Sequence, residues 1–243
     1  MSNKIQLKTV TQGSYYCLFD QNEIADFNVD MLSATFWQKQ QAITGSAQGR
    51  GTTWFVLHDH KHWVLRHYYR GGLIGKIIND SYLFTSQKNT RAAQEFNLLA
   101  YMRTLALPAP KPIAYRVKRS GLFYQADLLS SRIENAEDLV AILSKQSLSE
   151  SLWKKIGSTI KRFHGHNIYH HDLNAHNILI DQQENVFLID FDRGEIRTSH
   201  QSVWQKGNIA RLERSFLKEQ KKLPNFHWSN ENWQLLLEGY LSH

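Results

Sequence analysis

Cysteine is almost missing. Cys17 is the only one in 243 residues, so no internal disulfide can form, and its surroundings, SYYCLF, alternate like a half-buried strand with the thiol as a small core residue. A fold held by its own apolar core in a reducing compartment is expected. Also missing is any apolar run approaching the roughly 20 residues of a bilayer-spanning helix, and the leading MSNKIQLKTVTQGS has no signal-like apolar core. Neither secretion nor a transmembrane anchor is expected. Acidic residues are outnumbered, 22 against 29 Lys and Arg, leaving a formal charge of +7. That surplus favours an anionic partner, whether nucleic acid, an acidic membrane surface or a phosphorylated substrate, without choosing among them.

With 42% hydrophobic residues the chain can bury one good core or two small lobes. Up to about residue 130 the pattern favours strands. WFVLHD and HWVLRHYY are separated by the polar HDHKH, whose histidines 58, 60 and 62 a hairpin turn explains, while PIAYRVKR and GLFYQADLL meet at Ser120-Gly121. One helix interrupts them: Thr90 is its candidate N-cap, and Ala92, Phe96, Leu99 and Ala100 share one face, with Glu95 at its edge. Three of the four prolines, at 108, 110 and 112, stop that helix near Ala106. Beyond residue 140 the pattern turns helical, with Ser147 and Glu150 as a capping box ahead of Leu152, Ile156, Ile160 and Phe163. Further on, Ile209, Leu212 and Phe216 form a stripe opposite Arg211, Arg214, Lys218, Lys221 and Lys222, and WSNENWQLLLEGY closes as a short helix. The expected organisation is a strand-rich lobe over 1–130 and a mainly helical lobe over 131–243.

Polar groups concentrate in YHHDLNAHNILID, residues 169–181. Histidines 164, 166, 170, 171 and 176 crowd this region, but their spacing matches no four-ligand zinc set. More informative is H-x-D-x-x-x-x-N, met by His170, Asp172 and Asn177 and followed by two short apolar runs, NILID and VFLID, around a polar turn. Such a hairpin returns Asp190 to Asn177. An amide oxygen and a carboxylate on adjacent strand ends are hard ligands suited to Mg²⁺, and Asp172 at the loop mouth is placed to take a proton from an attacking hydroxyl.

These residues resemble the protein kinase-like superfamily, whose catalytic loop reads H-R-D-x-x-x-x-N and is followed by a D-F-G aspartate on the next strand turn. The resemblance implies an α+β bilobal fold, with an N-terminal nucleotide-binding lobe over 1–130, an antiparallel sheet carrying one main helix, and a mainly helical C-terminal catalytic and acceptor-binding lobe over 131–243 containing a catalytic β-hairpin. It casts Asp172 as base, His170 as brace of the loop, and Asn177 and Asp190 as metal ligands. Upstream it asks for a glycine-rich phosphate loop, supplied by Gly45, Gly49 and Gly51 in TGSAQGRGTTWFV, and a basic strand residue paired to a helix glutamate. WVLR puts Arg66 at that position with Glu95 as its partner, and Lys76 is a rival for the same role. Adenine is then expected between the lobes near Leu128 to Ile133.

Two departures turn attention away from protein substrates. D-F-G is replaced by Asp190-Phe191-Asp192-Arg193-Gly194, and no A-P-E motif follows. GRGTTWFV, VLRHYYRGG, QEFNLLAYMRTLALPAPKPIAY, YQADLLSSRIENAEDL, HHDLNAHNILID, LIDFDRGEIR and NIARLERSF together resemble one bacterial family, the 3-deoxy-D-manno-octulosonic acid (Kdo) kinases of lipopolysaccharide inner-core assembly. What this implies is ATP- and Mg²⁺-dependent phosphorylation of a Kdo hydroxyl, expected to be the 4-hydroxyl, on Kdo-lipid A. The implied place is the cytoplasmic side of a Gram-negative inner membrane, held peripherally against its anionic surface. The basic helix face at 206–222, with Trp204, Phe226, Trp228 and Trp233 nearby, is one expected membrane contact, and ordinary core packing of those aromatics is the other reading. His171 and His176 have no role that spacing supplies. An aminoglycoside phosphotransferase-like kinase is the alternative, but acidic pockets for cationic drugs fit poorly with this charge. A non-catalytic basic protein is a further alternative; nucleic acid is not expected as a partner.

Overall fold

Alternating apolar and polar residues build the first half of the chain into one antiparallel sheet in the computed structural model, which describes residues 5–48, 51–70 and 80–242. Its strands are β1 (Leu7–Gln12), β2 (Tyr15–Asp20), β3 (Ile43–Gln48), β4 (Thr52–His58), β5 (Lys61–His67), β6 (Tyr82–Leu83), β7 (Pro112–Ser120) and β8 (Phe123–Ser131). Their order is β1-β2-β7-β8-β5-β4-β3, with β6 also on β8. Two hairpins show how local sequence sets register. Asp59 and His60 both take positive φ, 47° and 60°, between the pair His58 and Lys61, which is the left-handed two-residue turn that matches strand twist. Between Ser120 and Phe123 only the first of the two turn residues, Gly121, takes positive φ, at 58°. Cys17 is fully buried on β2, and burial pushes its thiol up to about 12, so it is an inert packing residue.

Strand parity then sorts side chains between the two sheet faces. Trp63 and Leu65 of β5 join Trp37, Met31, Leu32, Ile113 and Leu129 in a buried cluster; Trp37 belongs to the short helix α1 (Ala34–Lys39), and its indole N–H donates to the Met31 carbonyl at 2.6 Å. Arg66, one residue out of phase, faces the other way. There lies α2 (Arg91–Thr104), which packs on β7 through Phe96 against Tyr115, ring centroids 5.3 Å apart. Thr90 precedes α2 and donates its hydroxyl to the Gln87 carbonyl. Ala106 takes φ 50° just after the helix, a left-handed residue of the kind that ends helices.

The chain divides into two compact units, residues 1–104 with 110–132, and residues 105–109 with 133–243. The 105–109 stretch is tied to the second unit by Leu188 N–H donating to the Pro108 carbonyl at 3.0 Å and by Arg162 donating to the Ala106 carbonyl at 3.1 Å. That unit contains β9 (Ala136–Asp138), α3 (Leu139–Leu143), α4 (Glu150–Gly165), β10 (Ile168–Tyr169), β11 (Ile178–Asp181), β12 (Val186–Leu188), β13 (Glu195–Ile196), α5 (Gln201–Lys222) and α6 (Asn230–Leu241). Strands β12, β11 and β9 form a small sheet. With a sheet-rich first unit and a mainly helical second, the architecture is α+β and kinase-like.

Helix α4 is capped by Ser149, not by the expected Ser147: its side chain accepts from Leu152 N–H. Both serines lie the right distance before a helical residue. The one whose successor opens the amphipathic run takes the cap, because burial of Leu152, Trp153 and Ile156 fixes where the helix begins. A close crossing locks α4 to α6: a Cβ on Gly157 would lie 1.9 Å from the Leu236 carbonyl oxygen, and one on Gly239 would lie 2.0 Å from that of Lys154. The tryptophans offered for a membrane contact are core. Trp204, Trp228 and Trp233 are buried, and Trp228 stacks on Phe216 at 5.5 Å. No helix among the described residues is long and apolar enough to cross a membrane.

Candidate active site

The catalytic-loop candidates converge because a short hairpin carries them. Strands β11 and β12 pair from Ile178–Leu188 to Ile180–Val186, and Asp181 closes the turn by accepting from Gln183 N–H, Asn185 N–H and the Asn185 amide. Ile189 N–H donates to the Asn177 carbonyl at 3.0 Å, which brings Asp190 next to Asn177. Asp190 takes left-handed backbone, φ 60°. What holds this strained turn is the next residue: Phe191 is fully buried, stacked on Phe163 at 5.7 Å and against the His170 ring at 4.7 Å.

His170 is a brace with a defined tautomer. Asp172 N–H donates to its Nδ1 at 3.2 Å, so the proton sits on Nε2, which donates to the Ile189 carbonyl at 2.9 Å. Burial pushes its pKa below the ordinary imidazole value, against the opposing bond to Ile189, and keeps the ring neutral. One uncharged side chain thus ties the Asp172 backbone to the residue before Asp190. Asn177 donates its amide to the Asp172 carbonyl at 2.9 Å, and Asn174 adds a second bond to that oxygen at 3.0 Å. With its Nδ2 committed, Asn177 has its Oδ1 left for a cation. Asn177 and Asp190 line the same cavity, so the residues present fit a magnesium ion held by an amide and a carboxylate oxygen plus substrate and water. No group of three or more His, Cys, Asp or Glu arranged to hold a metal ion occurs among the described residues.

Helix α5 completes this site, and sequence reasoning assigned it no site residue. Asn208 clamps the loop on both sides, accepting from His170 N–H at 3.3 Å and donating to the His170 carbonyl at 2.9 Å, while the Ser215 hydroxyl accepts from Ala175 N–H at 3.0 Å. Between those clamps Arg211 reaches Asp172, its guanidinium donating to Oδ1 at 2.8 Å. The recurrence of Asn208, Arg211 and Ser215 at helical spacing was the available signal, masked by reading the basic residues only as a surface face. His176 proves to be a connector: Nδ1 lies 3.3 Å from Asp138 and Nε2 3.6 Å from Glu219. His171 has its ring against Tyr169 at 6.3 Å.

In the first unit the structure brings Arg66 and Glu95 together in a direct ion pair. Tyr68 also donates to Glu95 Oε2, at 2.7 Å, and the Arg66 guanidinium lies over the Tyr68 ring, 5.0 Å from its centroid. Gly45 falls outside the expected turn: it is a β3 residue opposite Phe55, beside a register shift after Ile43, and a Cβ there would sit 3.2 Å from the Phe55 ring. Its missing side chain makes room within the hairpin. Gly51 opens β4 below the Tyr69 ring, where an added Cβ would lie 2.0 Å from the ring edge. Gly49 and Lys76 lie outside the described residues.

The chain matches one family model and several proteins that carry the same name. The model of the lipopolysaccharide kinase (Kdo/WaaP) family matches residues 34–240. The 3-deoxy-D-manno-octulosonic acid kinase of Photobacterium profundum is 46% identical over 222 residues, covering 91% of this chain and 93% of that protein. The protein of that name from Vibrio cholerae serotype O1 is 48% identical over 230 residues, covering 95% and 97%. The one from Mannheimia succiniciproducens is 46% identical over 238 residues, covering 95% and 98%. A hairpin built on H-x-D-x-x-x-x-N, a strand arginine paired to a helix glutamate, and this extent of similarity lead to one assignment: the chain belongs to the lipopolysaccharide kinase (Kdo/WaaP) family.

Proposed function

We propose that this phosphotransferase moves the γ-phosphoryl group of ATP to a hydroxyl of Kdo, the 4-hydroxyl, on Kdo-lipid A during assembly of the lipopolysaccharide core. The observation that carries the reading is the cavity in which Asp172, Asn177 and Asp190 meet, in a chain whose relatives are named for this sugar. Asp172 orients the acceptor hydroxyl and takes its proton. His170 holds the Asp172 backbone relative to Asp190. Asn177 and Asp190 would hold Mg²⁺, which when bound would neutralise charge on the donor phosphates. Arg66, positioned by Glu95, contacts donor phosphates together with the glycine segment at 49–51, while Gly45 acts within its strand. Little covalent chemistry is asked of the protein, so its contribution is alignment and electrostatic stabilisation.

The cation-lined wall of this cavity, with Arg211, Arg214 and Lys218, suits an acidic acceptor and disfavours a cationic drug. Attachment to the cytoplasmic side of the inner membrane belongs to the same proposal, and exposed cations of α5 together with the +7 charge support it. The deciding experiment supplies purified protein with γ-labelled ATP, Mg²⁺ and either Kdo-lipid A or lipid A lacking Kdo. Label is expected on the Kdo-bearing acceptor alone. Equal label on both acceptors, or none on either, overturns the assignment.

A further inference from the structure

The cavity beside Asp172, about 460 Å³, has walls of opposite character. On one side stand the loop residues Asp172, Asn177 and Asp190. On the other, α5 presents Arg211, Arg214 and Lys218, spaced three and four residues apart so that they form one row about 10 Å long. A row of cations next to a metal-binding loop is costly to leave facing itself, and the local acids do not neutralise it. Glu219, the acidic residue of α5 in this wall, is buried and already faces His176 and Lys222. Arg214 and Lys218 have no ion-pair partner among the described residues. Arg211 has one, and it is Asp172, the proposed base.

We propose that Arg211 and Arg214, backed by Lys218, form a carboxylate-binding subsite that reads the acid group of the acceptor sugar. The inference rests on the Kdo reading, since an ulosonic acid carries its carboxylate at C1 and its first free hydroxyl a few bonds away, at C4. Three features support the acceptor as the ligand, and the first sets it apart from the nucleotide. The row begins at Asp172, which receives the acceptor hydroxyl, and not at Asp190, which serves the donor side. Guanidinium groups match a carboxylate in two-pronged geometry, as they do a phosphate, which lysine alone does not. The Arg211–Asp172 contact is an exposed pair, with side-chain exposures of 44% and 43%, so exchanging one carboxylate for another at Arg211 is nearly isoenergetic. Binding of the sugar acid at Arg211 displaces Asp172, and the base becomes free as the hydroxyl arrives beside it. Asn208 and Ser215 hold α5 to the loop on either side of Arg211, fixing the separation between carboxylate subsite and base.

The test compares Kdo-lipid A with its C1 methyl ester, in full-length wild type and in Arg214→Gln and Lys218→Gln. In parallel, equilibrium binding of free Kdo and of its methyl ester is measured, which needs no turnover. For wild type the ester is expected to raise the acceptor KM about tenfold with KM for ATP unchanged. Arg214→Gln is expected to raise KM for the acid by a similar factor while leaving the ester nearly unaffected. If wild type handles acid and ester alike, the subsite is refuted and the Kdo reading stands. The subsite is equally refuted if Arg214→Gln shifts KM for ATP, or weakens acid and ester to the same extent. Free Kdo bound in preference to its ester, with no transfer to Kdo-lipid A, would instead refute the acceptor assignment and keep the subsite. Absence of both binding and transfer refutes both. Should Arg214→Gln fold poorly, the wild-type acid–ester comparison and Lys218→Gln still decide.

Discussion

Two arginine–carboxylate pairs, one in each unit, are alike in chemistry and opposite in setting. Glu95 is only 4% exposed, accepts from Tyr68 as well as Arg66, and sits under a guanidinium that is itself stacked on Tyr68. Asp172 is 43% exposed and shares Arg211 with the solvent and an open cavity. Burial makes the first pair part of the fold, because removing Arg66 strands the Glu95 carboxylate away from water and removing Glu95 takes the acceptor from both Arg66 and the buried Tyr68 hydroxyl. Exposure leaves the second free to exchange, because water and salt screen it and little stability depends on it. The lesson is that the same contact can be a strut or a latch according to its solvent exposure.

Breaking the latch side at its carboxylate is expected to have the largest effect. Asp172→Asn should lower kcat about 10²- to 10⁴-fold in the labelled-phosphate assay while nucleotide binding persists, and retained turnover would dismiss Asp172 as the base. Next, urea denaturation should separate the two pairs: Glu95→Ala is expected to cost roughly 3 kcal/mol, because Arg66 and the Tyr68 hydroxyl lose their buried acceptor. Arg211→Gln, by contrast, should stay within about 0.5 kcal/mol of wild type. Equal losses from both substitutions would erase the distinction between strut and latch. Smaller than the Glu95→Ala loss, Tyr68→Phe should cost about 1.5 kcal/mol, the worth of one hydrogen bond to a charged acceptor, leaving the ion pair in place.

The smallest effect is one of pH. His67 bridges Asp127 at 2.7 Å and Asp80 at 3.2 Å; burial pulls its pKa down, but the two carboxylates win and hold it above the ordinary 6.5. Protonated His67 therefore contributes stability that is fully present below 6.5 and is lost as pH rises through the higher folded value. Asp80 is held below its usual 3.8, with burial opposed by its bonds to Gln125 and His67, so its contribution is present above 3.8 and lost as pH falls through the lower folded value. His67→Gln should flatten the fall in denaturation midpoint just above pH 6.5. A Glu95→Ala protein keeps His67 and both of its carboxylates, so it should keep that fall.

Local signals are legible where local physics decides. The two hairpin turns, the strands flanking them and the helix after Thr90 follow from parity, turn residues and helical spacing, whereas the pairing of Arg66 with Glu95 is implied only by the kinase-like resemblance, with Lys76 as a rival. Where two local signals compete, packing chooses between them: Ser149 over Ser147 as cap, Gly45 as a strand residue and not a turn residue. Trp204, Trp228 and Trp233 could have lain on a membrane or in a core, and only their contacts with Phe216, His164 and Tyr169 decided for the core.

By itself the sequence determined that a single short loop and its hairpin hold Asp172, Asn177 and Asp190 together, because turn length and strand pairing act over a few residues. It also determined a basic excess and the helical spacing of Arg211, Arg214 and Lys218. Which way that helix faces was decided only by the tertiary structure. Arg211 meets Asp172 across 39 residues of chain, and what brings them together is the burial of Leu212 and Phe216 with the Asn208 and Ser215 clamps on the loop. Helical periodicity specifies a face, but burial of the opposite face specifies what that face looks at.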